Sequence, residues 1–121
     1  MNNEAQQTAI AEQVEAATRQ LAHSARTVPS PTDSYELLGA LRATATHLEQ
    51  VATQLASWHD NAEEGVEHNG EDGSGDGAAT ATAAGELRQA AACLSDAVEH
   101  LSSAHSANSV VRWIPRRTAH E

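Results

Sequence analysis

Lysine and phenylalanine are both missing from this chain of 121 residues, and the aromatic side chains are only Tyr35, Trp58 and Trp113. Much of the apolar content is alanine, so any core is built from small side chains that each remove little surface from water, at about 25 cal/mol per Å2. A single cysteine, Cys93, excludes an intrachain disulfide and fits a reducing compartment. No run approaches the roughly 18 apolar residues that a membrane-spanning helix needs. Residues 1–7 have neither the basic start nor the apolar middle of a secretory signal. A cytoplasmic location and no membrane partner are therefore expected. Positive charge is scarce as well: seven arginines stand against seventeen acids, for a formal net charge of -10. That balance opposes general attraction to nucleic-acid phosphates, and three arginines near the end of the chain do not reverse it.

What the chain does have is a heptad stripe that occurs three times. Ile10, Val14, Ala17, Leu21 and Val28 form the first. Leu37, Leu41, Leu48, Val51, Leu55 and Trp58 form the second, widened by Leu38, Ala45 and Ala52. Leu87, Ala91, Leu94, Val98 and Leu101 form the third. Steps of three and four, or sums of those steps, place each set on one side of an α-helix. The expected helices cover about 4–26, 33–59 and 80–107. Pro29 and Pro31 stop the first, because each lacks an N–H and pushes its predecessor out of the helical region. Asp33 followed by Glu36 reads as a capping box at the start of the second. Thr80 or Thr82 is suited to cap the third, with Gly85 in its first turn. Gly39, inside the second helix, marks either a close crossing with the first helix or a tolerated exposed glycine.

Between the second and third helices the pattern stops. Five of the seven glycines and seven of the seventeen acids fall in 60–78, the composition of a mobile linker. The expected architecture is an all-α, three-helix up-down-up antiparallel bundle over residues 1–108, with that acidic Gly-rich loop between helices two and three. A domain-swapped dimer through the same loop is the alternative. A tail, 109–121, follows the last helix. Val110, Val111, Trp113 and Ile114 form an apolar cluster interleaved with Arg112 and ended by Pro115, and Arg116 and Arg117 follow. Trp and Arg are the residue types most enriched at binding hot spots. The tail reads either as a strap over the end of the bundle or as a docking segment.

Catalytic and cofactor chemistry find little footing. Two metal ligands on one helix need to be three or four residues apart. No pair among His23, His47, His59, His68, His100, His105 and His120 meets that spacing. His100 and His105 point about 140° apart, although His105 itself falls on the third seam. Asp72, Ser74, Asp76 and Gly77 match positions 1, 3, 5 and 6 of a calcium-binding loop, but the position that needs a bidentate Glu is Ala83. Glu49, Glu99 and His100 are expected as solvated flanks. Cys93, one residue before seam residue Leu94, is expected at the core edge as an inert thiol. Neither a nucleotide-binding glycine loop nor a carboxylate–histidine helix motif of the di-iron type is found.

Size, alanine content and acidity resemble the small helical-hairpin proteins exported by actinobacterial type VII secretion. The motifs that mark that family are absent, however. Trp58 is followed by Asp60 where the Trp-x-Gly turn needs Gly, and Tyr35 is followed by Gly39 where the Tyr-x-x-x-acid signal needs an acid. Membership of that family is not indicated. The expected function is a non-enzymatic interaction, scaffold or regulatory module without a cofactor. It acts on another protein or on a second copy of itself, through helical faces and the segment Val110, Val111, Arg112, Trp113, Ile114, Arg116 and Arg117. The alternative is a cation- or ligand-responsive helical protein using the histidines and the acidic loop.

Overall fold

The computed structural model describes residues 4–27, 29–62 and 79–115. The chain is all-α, with no strand among the described residues. Helix α1 spans Glu4–Ser24, a single 3-10 turn covers Pro31–Asp33, α2 spans Ser34–Asn61 and α3 spans Ala79–Asn108. These bounds lie within two residues of those expected from periodicity, the normal scatter of helix ends. Val28, residues 63–78 of the acidic segment, and Arg116 and Arg117 fall outside the described residues.

Contacts divide the chain into one unit built on α1, which also takes in Ile114, and another spanning Ser34–Trp113. In the first, α1 carries an exposed i,i+4 ion pair between Glu15 and Arg19 at 2.7 Å, a type of pair that contributes only a few tenths of a kcal/mol. Thr18 donates its hydroxyl to the Val14 carbonyl at 2.7 Å. The apolar residues Ile10, Val14 and Leu21 are exposed. At the C-terminal end, backbone N–H groups of Ala25, Arg26 and Thr27 still reach back to the last carbonyls. The Thr27 hydroxyl also donates to the Ser24 carbonyl at 3.0 Å, and Pro29 follows.

The second unit is an α2–α3 hairpin. Asp33 occupies the N-cap position before Ser34, closed from behind by its N–H bond to the Ser30 carbonyl. The buried residues of the hairpin are all alanines: Ala45, Ala52 and Ala56 from α2, and Ala84 and Ala91 from α3. In α3 the seam runs Ala84, Leu87, Ala91, Leu94, Val98, Leu101 and His105, every one buried or half-buried. That is the expected third stripe, extended by a residue at each end. In α2 the seam is not the expected stripe. Leu48, Val51, Leu55 and Trp58 are exposed, Leu48 at 41% and Trp58 at 54%. The alanine line, about a quarter-turn away, faces α3 instead. Small residues let two helix backbones come close and gain dispersion contacts along their whole length, an arrangement that bulky side chains would hold apart. Leu38 and Leu41 flank the alanines, half-buried.

Ala84 is 0% exposed, so Ala84→Leu forces three extra carbons between the backbones. It lowers stability by about 1–3 kcal/mol in urea melts, while Ala92→Leu on the exposed side of α3 changes little. Gly85 has open space where a Cβ would stand, so Gly85→Ala raises stability by about 0.5–1 kcal/mol through helix propensity alone.

Candidate functional site

Where the start of α2 meets the end of α3, polar and aromatic side chains gather. Asn108, in the last turn of α3, donates from Nδ2 to the Ser34 hydroxyl at 3.0 Å. The His105 ring stacks on Tyr35, centroids 4.0 Å apart and planes 20° from parallel. A Cβ at Gly39 would lie 3.2 Å from Nε2 of His105. Gly39 therefore marks a close approach, but to α3 rather than to the first helix as expected. Any larger residue there presses on the imidazole.

The same Asn108 positions the tail. Its Oδ1 accepts a hydrogen bond from the Trp113 indole Nε1 at 3.1 Å. Backbone N–H groups of Ser109, Val110 and Val111 bond to the last carbonyls of α3, and the Ser109 hydroxyl donates to the Ser106 carbonyl at 2.6 Å. The chain thus leaves the helix in a tight turn with the indole held to the helix end. The side chains of this segment stay in solvent: Val110 is 82% and Ile114 79% exposed, and Val111, Arg112 and Trp113 are exposed too. The described part of the tail is thus tethered at the Trp113 indole and open to solvent elsewhere. The tether was not readable from residue types, except that Asn108 continues the 4,3 spacing of the α3 seam beyond His105.

A second exposed apolar surface runs along α2, through Leu48, Val51, Leu55 and Trp58. Thr44 lies in the same column, and its hydroxyl is occupied by the Ala40 carbonyl at 2.8 Å. At the far end of the hairpin Arg88 of α3 forms an ion pair with Asp60 of α2. Both side chains are roughly half exposed, so the pair orients the helices more than it stabilises them.

The histidines are dispersed among separate local partners. His23 accepts from Arg26 Nη2 at 2.6 Å on α1. His59 places Nδ1 2.8 Å from the Leu55 carbonyl, with Trp58 packed edge-on. His47 and His100 are exposed, while His68 and His120 lie outside the described residues, as does the 72–77 stretch. Among the described residues no group of three or more His, Cys, Asp or Glu side chains is placed to hold a metal ion. Cys93 is exposed rather than at the core edge, because the seam passes through Ala91 and Leu94 and turns the intervening Cys93 outward. Glu99 is exposed as expected, whereas Glu49 is half-buried beside the alanine line. A shallow depression on α1 is lined by Ala16, Arg19, Gln20 and His23, all from that one helix.

Among the described residues no helix is long and apolar enough to cross a membrane. No protein-family model matches the chain, and neither does any curated protein or solved structure compared with it.

The Gly39–His105 contact is testable by a mutant cycle. Gly39→Ala gains less stability than Gly85→Ala, because the methyl group must displace a stacked ring. In a His105→Ala background the two gains become equal. Equal gains in the unmodified chain mean that the ring yields freely and the contact does not constrain position 39.

Proposed function

We propose that this chain is a non-enzymatic interaction module. It binds another protein, or a second copy of itself, through the open apolar column of α2 and the tail around Trp113. The observation that carries this reading is the exposure of Val110, Val111 and Trp113 on a turn that is nonetheless hydrogen-bonded into place. An apolar group held in water gains free energy when a partner covers it. A tethered one loses less conformational entropy in doing so than a free tail would. Trp113 is the anchor, with Val110 and Val111 beside it on the same turn. Arg112 beside the cluster, with Arg116 and Arg117 further along the sequence, supplies positive charge that steers an acidic partner and speeds encounter. The arginines stand out because the rest of the chain is acidic. A lone exposed thiol at Cys93 suits a reducing, cytoplasmic setting.

Deleting residues 110–121 tests this assignment. The shortened chain keeps its helical circular-dichroism signal, with a thermal midpoint lowered only by the loss of the Trp113 hydrogen bond and the Val110 and Val111 backbone bonds to the end of α3. It no longer captures the partner retained by the full chain from a host extract. Trp113→Ala alone weakens capture at least tenfold. Unfolding of the shortened chain would falsify the docking role and make the tail a structural strap.

A further inference from the structure

Helix α2 has a second apolar face that its packing on α3 leaves open. Leu41, Thr44, Leu48, Val51, Leu55 and Trp58 follow one another in steps of three and four without a break. At 100° per residue this column lies about 90° round the helix from the alanine line. Four of its members, Leu48, Val51, Leu55 and Trp58, are exposed, whereas α3 contributes no large exposed apolar side chain.

The face is also free of charge. Between Leu37 and Trp58 the only Arg, Asp or Glu residues of α2 are Arg42 and Glu49, and both lie about 130–150° from the centre of the column. Its outer border is Ala40, Ala43, His47, Gln50, Gln54 and Ser57. The chain as a whole carries a formal charge of -10, so two copies repel wherever acidic surfaces meet. Along this arc they meet no carboxylate, and the core of an interface is the place where charge is normally depleted. The order of sizes adds a direction. From Leu37 to Trp58 it reads Leu, Leu, Thr, Leu, Val, Leu, Trp, with the two β-branched residues, Thr44 and Val51, on either side of Leu48 and longer side chains beyond them in both directions.

We propose that α2 pairs with α2 of a second copy, antiparallel, about a two-fold axis at Leu48. This rests on the interaction-module reading above and names its partner. The pairing is isologous, so each contact occurs twice. Leu48 meets Leu48 of the second copy, Leu41 meets Leu55, Thr44 meets Val51 and Leu37 meets Trp58. Every layer is filled over about 30 Å of helix.

Light scattering on the full chain, in reductant to keep Cys93 out of the result, reads this directly. Between micromolar and several hundred micromolar the mass rises toward twice the 12.7 kDa of one chain. Leu48→Glu and Leu48→Arg each return it to a single chain with unchanged helical signal, since an exposed position tolerates either charge in the monomer. Mixing the two variants restores the doubled mass, because position 48 faces itself. In a Trp113→Phe chain, Trp58 emission moves to shorter wavelength with concentration as the face is covered. A chain that stays at 12.7 kDa throughout, a Leu48→Glu dimer, a mixture that stays monomeric, or a Trp58 emission indifferent to concentration overturns the pairing. The tail deletion measured in parallel separates the two ideas. A monomeric full chain whose partner capture still depends on residues 110–121 removes the self-pairing and leaves the interaction module intact.

Discussion

Five buried methyl groups, those of Ala45, Ala52, Ala56, Ala84 and Ala91, are what stands between the backbones of α2 and α3. Most of the hairpin's geometry descends from that closeness. With methyl groups at the centre there is no room for leucine there, so Leu38, Leu41, Leu87 and Leu94 sit half-buried along the sides. At the end marked by Tyr35 and His105, even a methyl group on position 39 presses on the imidazole. The seam is regular because alanine combines the highest helix propensity with the smallest side chain able to exclude water.

The same closeness leaves α2 with an unmet apolar column. A Leu-centred seam would have turned Leu48, Val51, Leu55 and Trp58 toward α3, buried more area per residue and left the alanines outside. The alanine seam buries less per residue but gains backbone proximity, and it hands the larger side chains to solvent. An isolated leucine in water is unremarkable. Four large apolar residues in register on one uncharged arc form a surface that water covers poorly and another protein surface covers well. The open column is thus a consequence of how the hairpin packs.

The parts of this arrangement that periodicity made legible are those where a single apolar line ran along a helix. In α3 the line through Leu87, Ala91, Leu94, Val98 and Leu101 is the seam, and its spacing reached on to His105. In α2 two lines lie a quarter-turn apart, one of alanines and one of larger residues. Weighting by hydrophobicity selects the larger line, whereas close packing selects the smaller, and only the fold decides between them. Gly39 was readable as a tight place but not as His105's neighbour, since nothing in the local sequence says which helix crosses there. Cys93 stands one step of 100° from seam residue Leu94, which is the difference between a core edge and an exposed flank. The apolar character of the tail was plain from its residues. Its tether was not, because it depends on Asn108 serving Ser34 and Trp113 at once.

That double service ties the tail to the register of the hairpin. An alanine seam is nearly degenerate: a shift by one heptad sets methyl groups against methyl groups again, at little cost in burial. Register therefore depends on the ends, where the partners are not interchangeable, much as one polar residue sets register in a coiled coil. Asn108 finds Ser34, His105 finds Tyr35 above Gly39, and Arg88 finds Asp60. A shift of seven residues is about 10 Å and separates all three pairs. It also withdraws Ser34 from Asn108, whose amide oxygen fixes the Trp113 indole. The exposed apolar turn of Val110, Val111 and Trp113 is consequently presented in one orientation only when α2 and α3 are correctly aligned, so the polar end of the hairpin governs both its register and the geometry of its most exposed surface.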